Sequence, residues 1–182
     1  EDTCVARLPG ASSRGSGRVA TWWGAGRVAG YESGAVVAWE GTKPAWRGKA
    51  SCALTACLAR DESKTLAFGD DSGGVSIWDV RQSSSSARLQ ASCHEDFVSG
   101  LAWHDGLLLA CGADGRLSVA EPRRNLARVG LSDPQDDELL SIQVMKGGRK
   151  VVCGTQTGAL VVWSWGRWGD STDRALGHPE SV

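Results

Sequence analysis

Short apolar runs separated by glycine-rich and polar turns follow one another along the whole chain. Examples are RVATWW, AVVAWE, CALTACLA, LLLACGA and ALVVWSW. Runs of this length that are rich in Val, Leu, Ala and Trp are typical of strands buried on both faces, because apolar and polar positions hardly alternate in them. No stretch has the length and the period of a long helix. The pattern predicts an all-β chain made of β-meanders.

One motif recurs within this pattern, a turn glycine followed five positions later by a tryptophan. The three complete copies are Gly34 with Trp39, Gly73 with Trp78, and Gly158 with Trp163. A fourth copy, CGADGRLSVA, keeps Gly115 but has Ala120 at the tryptophan position. The glycines are 39, 42 and 43 positions apart, close to the roughly 40 to 45 residues of a propeller blade. The spacing predicts a repeat array of about four blades.

The repeats resemble the WD-repeat β-propeller family. The segment GDDSGGVSIWDVR combines the turn glycine with the Trp-Asp pair, and the family's histidine element occurs at His94 and His178. The resemblance implies an all-β propeller of about four blades, each with four antiparallel strands, as a fragment of a seven-bladed propeller. The blades are expected at about 18–40, 41–80, 88–122 and 126–165, with a further blade starting at 173–182. The chain begins with Glu rather than Met, which also favours a fragment.

The resemblance assigns structural roles to a set of positions. They are Gly34, Trp39, Gly73, Trp78, Asp79, His94, Asp114, Gly115, Gly158, Trp163 and His178. In the family, a buried His and Asp form a hydrogen-bonded network with a Ser or Thr and the Trp, and this network is incomplete in two repeats here. Ala120 replaces the Trp in the repeat of His94 and Asp114, and Ser72 replaces the Asp in the repeat of Trp78.

A general-base pair is the alternative role for His94 and Asp114. No recognisable motif places a hydroxyl or thiol nucleophile beside them. The sequence also lacks the convergent carboxylates or metal cluster that an enzyme built on a propeller needs at its central channel. We therefore predict a protein that is not an enzyme.

Composition and charge favour a protein partner. The chain has 182 residues, 41% of them hydrophobic, and a formal net charge of −1. Such a chain has no global field that attracts nucleic acid or an anionic membrane, which argues against direct nucleic-acid binding. No run approaches the roughly 18 apolar residues of a spanning helix. Six cysteines are too few for a disulfide scaffold and lie mostly in apolar runs, as expected of core residues in a reducing compartment.

No motif indicates a cofactor or a metal. GASSRGSGR lacks the Lys-Ser/Thr end of a P-loop, and GAGRVAG has the wrong glycine spacing for a dinucleotide fingerprint. Cys52 and Cys57 are expected on opposite faces of one strand, and the three histidines fall in different blades. We predict neither a cofactor nor a metal site.

Two segments contain candidate partner contacts. WSWGRWGD has more tryptophans than one strand face requires, so its rings serve blade packing, an exposed aromatic patch or the stacking of an RNA base. PRRNLAR is the compact basic segment, and its arginines are either solvated or contact ribosomal RNA phosphates. The candidate contacts are Trp165, Trp168, Arg123 and Arg124.

A narrower resemblance covers about residues 65 to 182 and concerns nucleolar WD-repeat proteins implicated in making ribosomal RNA. It rests on GDDSGGVSIWDVR, SDPQDDELLSIQVMKGG and MKGGRKVVCGTQTGALVVWSW. It implies a scaffold that assists ribosome biogenesis and rRNA processing by binding proteins of pre-ribosomal particles. The implied location is the nucleus and nucleolus, with the cytoplasm as an additional place.

A second resemblance points to a different role. The tetrapeptide WDVR, which ends at Arg81, is similar to the WDxR box of substrate receptors in cullin-RING ubiquitin ligases. It implies that Arg81 offers a cation to an acidic surface of a ligase adaptor. A generic WD-repeat docking module is the third interpretation.

Overall fold

The computed structural model describes residues 15–60, 64–82, 87–145 and 147–177. Within these ranges the chain is mostly strand, with one short 3-10 turn at Pro122–Arg124. The strands are β1 (Gly17–Trp23), β2 (Gly26–Tyr31), β3 (Ala35–Glu40), β4 (Lys43–Lys49), β5 (Leu54–Arg60), β6 (Thr65–Asp70), β7 (Gly74–Asp79), β8 (Leu89–Ser92), β9 (Val98–His104), β10 (Leu107–Gly112), β11 (Leu117–Glu121), β12 (Ala127–Leu131), β13 (Leu139–Val144), β14 (Lys150–Thr155), β15 (Ala159–Ser164) and β16 (Asp173–Leu176). No helix in the described ranges is long and apolar enough to cross a membrane.

Four consecutive strands make each sheet, in the order in which they occur in the chain. Sheet 1 contains β1 to β4, sheet 2 contains β5 to β8, sheet 3 contains β9 to β12 and sheet 4 contains β13 to β16. Every pairing within a sheet is antiparallel. The first strand of each sheet packs against the first strand of the next, through β1 with β5, β5 with β9 and β9 with β13. This arrangement of four-stranded meanders confirms the predicted fold class.

The sheets differ from the predicted blades by one strand. Lys43–Lys49, expected to begin the second blade, instead pairs with β3 and completes sheet 1. In the same way Ala127–Leu131 completes sheet 3, and Asp173–Leu176, expected in a further blade, completes sheet 4. The physical reason, seen at β4 and β12, is that short loops lie on both sides of the fourth strand. The apolar pattern of this strand therefore does not indicate whether it pairs with the strand before it or with the strand after it. The observed hydrogen bonds join it to the strand before it.

The repeated glycines occupy the turns between second and third strands. Gly34, Gly73, Gly115 and Gly158 all have positive φ, between 72° and 82°, where a side chain is strained. At Gly73 a Cβ would also lie 2.1 Å from the carbonyl oxygen of His94. The turn glycine is thus required both by its own backbone angle and by the segment leading into the next sheet.

The core lies between neighbouring sheets in three clusters of buried side chains. Each cluster is centred on Leu, Val, Ala, Phe or Trp from the inner strands of two adjacent sheets. Cys93, Cys111 and Cys153 are buried members of these clusters, as predicted. Burial raises the pKa of the Cys57 thiol to about 11, so this half-buried cysteine is a thiol at neutral pH.

Candidate functional site

A chain of hydrogen bonds joins Asp114, His94 and Ser118 in sheet 3. The Nδ1 atom of His94 lies 3.0 Å from Asp114 Oδ1, and its Nε2 atom lies 2.8 Å from Ser118 Oγ. Burial acts to raise the pKa of the Asp114 carboxyl, but the hydrogen bond and charge of His94, with the N–H groups of Glu95 and Arg116, lower it overall. The predicted pairing of His94 with Asp114 is present, and it connects the segment before β9 to the turn before β11.

The order Asp, His, Ser is that of a hydrolytic triad, although no sequence motif had placed a nucleophile beside His94. In the structure Ser118 supplies a hydroxyl at hydrogen-bond distance from His94, as the Ser or Thr does in the family's network. However, Ser118 is 1% exposed and the His94 side chain is 0% exposed. A nucleophile needs access to its substrate, whereas these groups satisfy one another inside the sheet. The network is therefore structural.

The family network is divided between two sheets. Sheet 3 has the His, Asp and Ser without the Trp, whereas in sheet 2 the Nε1 atom of Trp78 donates to Ser76 Oγ at 3.0 Å. At the turn of sheet 2, Asp70 Oδ1 accepts hydrogen bonds from Ser72 Oγ and from the N–H groups of Ser72 and Gly74. Asp70 thus stabilises the turn in which Ser72 holds the family's Asp position.

One group of potential metal ligands lies at that turn. The ligand atoms of Cys52, Asp70 and Asp71 lie within 4.8 Å of one another. Cys52 precedes β5 rather than lying on it, so the expected placement of Cys52 and Cys57 on one strand is wrong. Since Asp70 Oδ1 already accepts three hydrogen bonds within the turn, the group is explained by turn formation.

The predicted partner contacts lie at one end of the sheets. Arg81, Arg123, Arg124, Trp165 and Trp168 all belong to connections between third and fourth strands. Successive connections in a meander alternate between its two ends, so these connections share an end with those between first and second strands. We call this end the lower face, and the His94 network lies at the opposite end. His178, the other predicted histidine, lies outside the described residues.

Arg81 is held in place on the lower face by Asp79. Its Nε and Nη2 atoms donate to the two carboxylate oxygens of Asp79 at 2.8 and 2.6 Å, and Arg88 approaches the same carboxylate at 3.8 Å. The hydrogen bond from Arg81 is the main cause that lowers the pKa of Asp79, against the effect of burial. The Arg81 side chain is still 65% exposed. It is a fixed cation that a partner can reach.

The basic segment forms the 3-10 turn between β11 and β12. Arg124 lies 3.7 Å from Glu121, and its side chain is 69% exposed. Arg123 is also exposed. The turn ends with Asn125 and Leu126 at φ values of 56° and 57°, and Leu126 is buried in the core between sheets 2 and 3. This buried anchor holds the two arginines at the surface.

Trp165 and Trp168 are half-buried rather than an open patch. Their rings meet edge to face with centroids 5.1 Å apart, and Trp165 also meets His104 of sheet 3 at 4.7 Å. Trp168 covers Gly130 of β12, where a Cβ would lie 2.3 Å from the ring. Blade packing thus accounts for much of both side chains. Sequence reasoning missed Trp22, which is 68% exposed at the end of β1.

A cleft of about 690 Å³ opens on the lower face between sheets 2 and 3. Apolar side chains on its walls include Ile77, Leu89 and Trp103. Charged residues from both sheets border it, among them Asp79, Arg88, Glu121 and Arg123. The core beneath this cleft contains Ala120, the position at which the repeat lacks its tryptophan.

The fold and these networks define a β-propeller array. No family model matches the sequence, but individual WD-repeat proteins do. Curated relatives include WD repeat-containing protein 55 of Arabidopsis thaliana, 46% identical over 121 residues, which are 65% of this chain and 33% of the relative. The human protein of that name is 33% identical over 131 residues, 71% of this chain and 33% of its own length. WD repeat-containing protein JIP5 of Cryptococcus neoformans is 41% identical over 121 residues, 64% of this chain and 32% of the relative.

Solved structures show the same fold. A chain in the crystal structure of the mitotic checkpoint complex has a TM-score of 0.79 at 19% identity, covering 90% of this chain and 53% of the other. The computationally designed Ika8 protein has a TM-score of 0.78 at 17% identity, covering 92% of this chain and 51% of the other. The chain is therefore part of a WD-repeat β-propeller. It resembles WD repeat-containing protein 55 and spans about a third of the length of the curated relatives it matches.

Proposed function

We propose that the protein is a WD-repeat scaffold that assists ribosome biogenesis and rRNA processing by binding proteins of pre-ribosomal particles in the nucleolus and nucleus. The similarity to WD repeat-containing protein 55 supports the scaffold, and the nucleolar role is the one that the sequence resemblance implies. A cytoplasmic fraction is compatible with this role. Chemistry at the His94 network is not part of the proposal, because Ser118 is buried.

The observation that carries this proposal is the grouping of exposed arginines beside apolar surface on the lower face. Arg81, Arg123 and Arg124 lie around one cleft, since Arg123 lines it and the partners of the other two, Asp79 and Glu121, line it as well. Arginine next to apolar and aromatic surface is the usual composition of an interface core, because it desolvates area and forms directional hydrogen bonds. The lower face is therefore our proposed docking surface.

The test is depletion of the protein followed by rescue. Depletion is expected to cause rRNA precursors to accumulate, and the protein is expected to sediment with pre-ribosomal particles. Because Trp165 and Trp168 also pack between sheets, the informative rescue variant is Arg123→Glu with Arg124→Glu, which reverses two exposed charges. Lys43→Glu with Arg47→Glu, which reverses two exposed charges on β4 of sheet 1, is the matched control and is expected to rescue.

The salt dependence of the association separates protein from RNA recognition. Binding to a protein surface is expected to weaken only moderately between low and physiological salt. A contact that neutralises many phosphates would weaken by orders of magnitude. Normal precursor levels after depletion, with no sedimentation alongside pre-ribosomal particles, would remove ribosome biogenesis from the proposal.

A second candidate function is that of a substrate receptor for a cullin-RING ubiquitin ligase. It is favoured by the geometry of Arg81, which Asp79 fixes in one orientation while leaving it 65% exposed. Arg81→Ala is expected to abolish co-purification of a ligase adaptor without unfolding sheet 2, whereas Arg47→Ala keeps it. Unchanged adaptor association in the Arg81 variant contradicts this function.

A further inference from the structure

We propose that the cleft between sheets 2 and 3 receives an acidic peptide segment of a partner protein, with one bulky apolar side chain inserted between the sheets. The inference rests on the proposed scaffold function and specifies the partner's chemistry. It does not depend on whether the partner belongs to a pre-ribosomal particle.

The cleft lies at the interface whose sheet lacks the repeat tryptophan. Between sheets 1 and 2, Trp46 and Trp78 meet edge to face with centroids 5.5 Å apart. Between sheets 3 and 4, Trp163 is fully buried. Between sheets 2 and 3, Ala120 occupies the corresponding position, and Leu126 joins it in the core. The side chains that fill this interface therefore have a smaller volume at this position than the tryptophan of the other repeats.

The fourth strand that faces the repeat tryptophan also differs between the two interfaces. In sheet 1, Gly48 of β4 pairs with Val36, which lies two positions after the turn glycine Gly34. A Cβ at Gly48 would lie 2.7 Å from the Trp78 ring of sheet 2. The corresponding partner of Val75 in sheet 2 is Ala91. The close approach that requires glycine beside Trp78 is thus absent where Ala120 replaces the ring. The interface between sheets 2 and 3 thus lacks a ring at the repeat's tryptophan position, and its aromatic side chain is Trp103 of β9, which packs against this core from the side of the cleft.

The walls of the cleft can hold an apolar side chain. Ile77 is buried, and the half-buried Leu89 and Trp103 line the opening and pack against the same core. The volume of about 690 Å³ lies within the roughly 300 to 1,000 Å³ of cavities that bind ligands. The guanidinium of Arg60 lies 5.6 Å from the centre of the Trp103 ring, at the same opening. One leucine or aromatic side chain, together with flanking backbone, fits this space.

The charges around the cleft favour an acidic segment. Among the residues that the structure describes, five arginines line the cleft or pair with its carboxylates, and three carboxylates line it: Arg60, Arg81, Arg88, Arg123 and Arg124, against Asp79, Asp105 and Glu121. Asp79 is already bound by two arginines and Glu121 lies beside Arg124. The surrounding potential is therefore positive, while carboxylates on the wall oppose a continuous phosphate backbone.

The test selects peptides from a random 12-residue library on the full-length protein and measures the affinity of enriched sequences by fluorescence anisotropy. Enrichment of Asp and Glu around one Leu, Phe or Trp is expected. Arg123→Glu is expected to weaken binding by roughly tenfold or more through charge reversal, as is Leu89→Trp by filling the cleft. Arg47→Glu, with an equal charge change outside the cleft, is expected to bind normally.

Other outcomes overturn the inference. No enrichment, enrichment of basic peptides, or equal binding by the Leu89→Trp and wild-type proteins each contradicts it, as does tighter binding of a polyuridine oligonucleotide that competes with the peptides. Failure here with preserved sedimentation alongside pre-ribosomal particles leaves the proposed function standing. Acidic-peptide binding without that sedimentation supports the cleft and contradicts the role in ribosome biogenesis.

Discussion

Gly73 connects the turn of sheet 2 to the segment that leads into sheet 3. Its φ is +79°, and a Cβ would approach the carbonyl oxygens of His94 and Asp96 at 2.1 and 2.8 Å. Its own carbonyl accepts hydrogen bonds from the N–H groups of Cys93 and His94. The absence of a side chain therefore permits the turn to bond directly to the segment that continues from β8, extending the pairing of β7 with β8 within sheet 2.

Gly73→Ala is expected to lower the free energy of unfolding by more than Gly41→Ala does. Gly41 has φ of +58°, and a Cβ at this position would meet no other part of the chain within 4 Å. Its variant therefore carries only the left-handed strain of about 1 to 2 kcal/mol. The Gly73 variant adds displacement of the His94 backbone, for a total on the order of 3 kcal/mol. Chemical denaturation of both variants measures the difference, and equal losses would contradict the contact.

Asp114 gives the His94 network a defined pH dependence. Its pKa is lowered in the folded state from an ordinary value of 3.8, so the unfolded chain binds more protons in that range. The stability it contributes is complete above pH 3.8 and is lost as pH falls through the folded pKa. Asp114→Asn is expected to flatten the dependence of unfolding free energy on pH below about pH 4. Denaturation at a series of pH values measures it.

The control for this experiment is Asp173→Asn, an exposed carboxylate on β16. Asp79 and Asp137 also have lowered pKa values, through Arg81 in the first case and through Thr157 and Arg174 in the second. They remain in the Asp114 variant, so the pH dependence should shrink rather than vanish. An equal change in the Asp173 variant would argue against a special role for Asp114.

At the residue scale, the sequence could predict positions that a repeat spacing fixes. The turn glycines and the pairing of His94 with Asp114 follow from such spacing. The ion pair of Arg81 with Asp79 and the hydroxyl of Ser118 depend on side-chain direction after folding, which spacing does not specify. Blade packing was one of the roles expected for Trp165 and Trp168, but the sequence did not select it, because their half-burial depends on contacts with sheet 3, distant in sequence.

At the scale of elements, tryptophans hold neighbouring sheets together. Trp78 of sheet 2 is 1% exposed, packs against Trp46 of sheet 1 and has its Nε1 hydrogen bond satisfied by Ser76. Strands and turns were predictable because apolar runs and glycines mark them. Sheet membership was not, because β4 has loops of similar length on both sides, and only hydrogen-bond pairing assigns it to sheet 1.

Trp78→Ala is expected to destabilise the chain by about 3 to 5 kcal/mol, through lost apolar contact and the cavity left between sheets 1 and 2. Trp22→Ala removes the same side chain from a position that is 68% exposed, so its effect should stay within about 0.5 kcal/mol. Denaturation monitored by far-UV circular dichroism gives both values. A large loss in the Trp22 variant would show that burial does not set the difference.

At the scale of the whole molecule, the four sheets form a row in which neighbours bury each other's faces. On β15, Val161 and Trp163 pack toward sheet 3. Because alternate residues of a strand point to opposite faces, Leu160 and Val162 point to the other face of sheet 4. These apolar residues are half-buried. Among the described residues, no other sheet makes its main contacts with sheet 4 on this face.

The isolated 182-residue chain is therefore expected to self-associate through the face of sheet 4 that bears Val162. Repeat arrays need their terminal apolar faces covered, either by closure or by a polar cap. Sedimentation velocity over a range of concentrations should show a mass that rises with concentration. Val162→Asp should reduce this association because it places a charge in the exposed interface, whereas Val129→Asp on β12, already 41% exposed, should not. A monomer of constant mass with one sharp thermal transition would contradict an uncovered flank, and equal association of both variants would place the contact elsewhere.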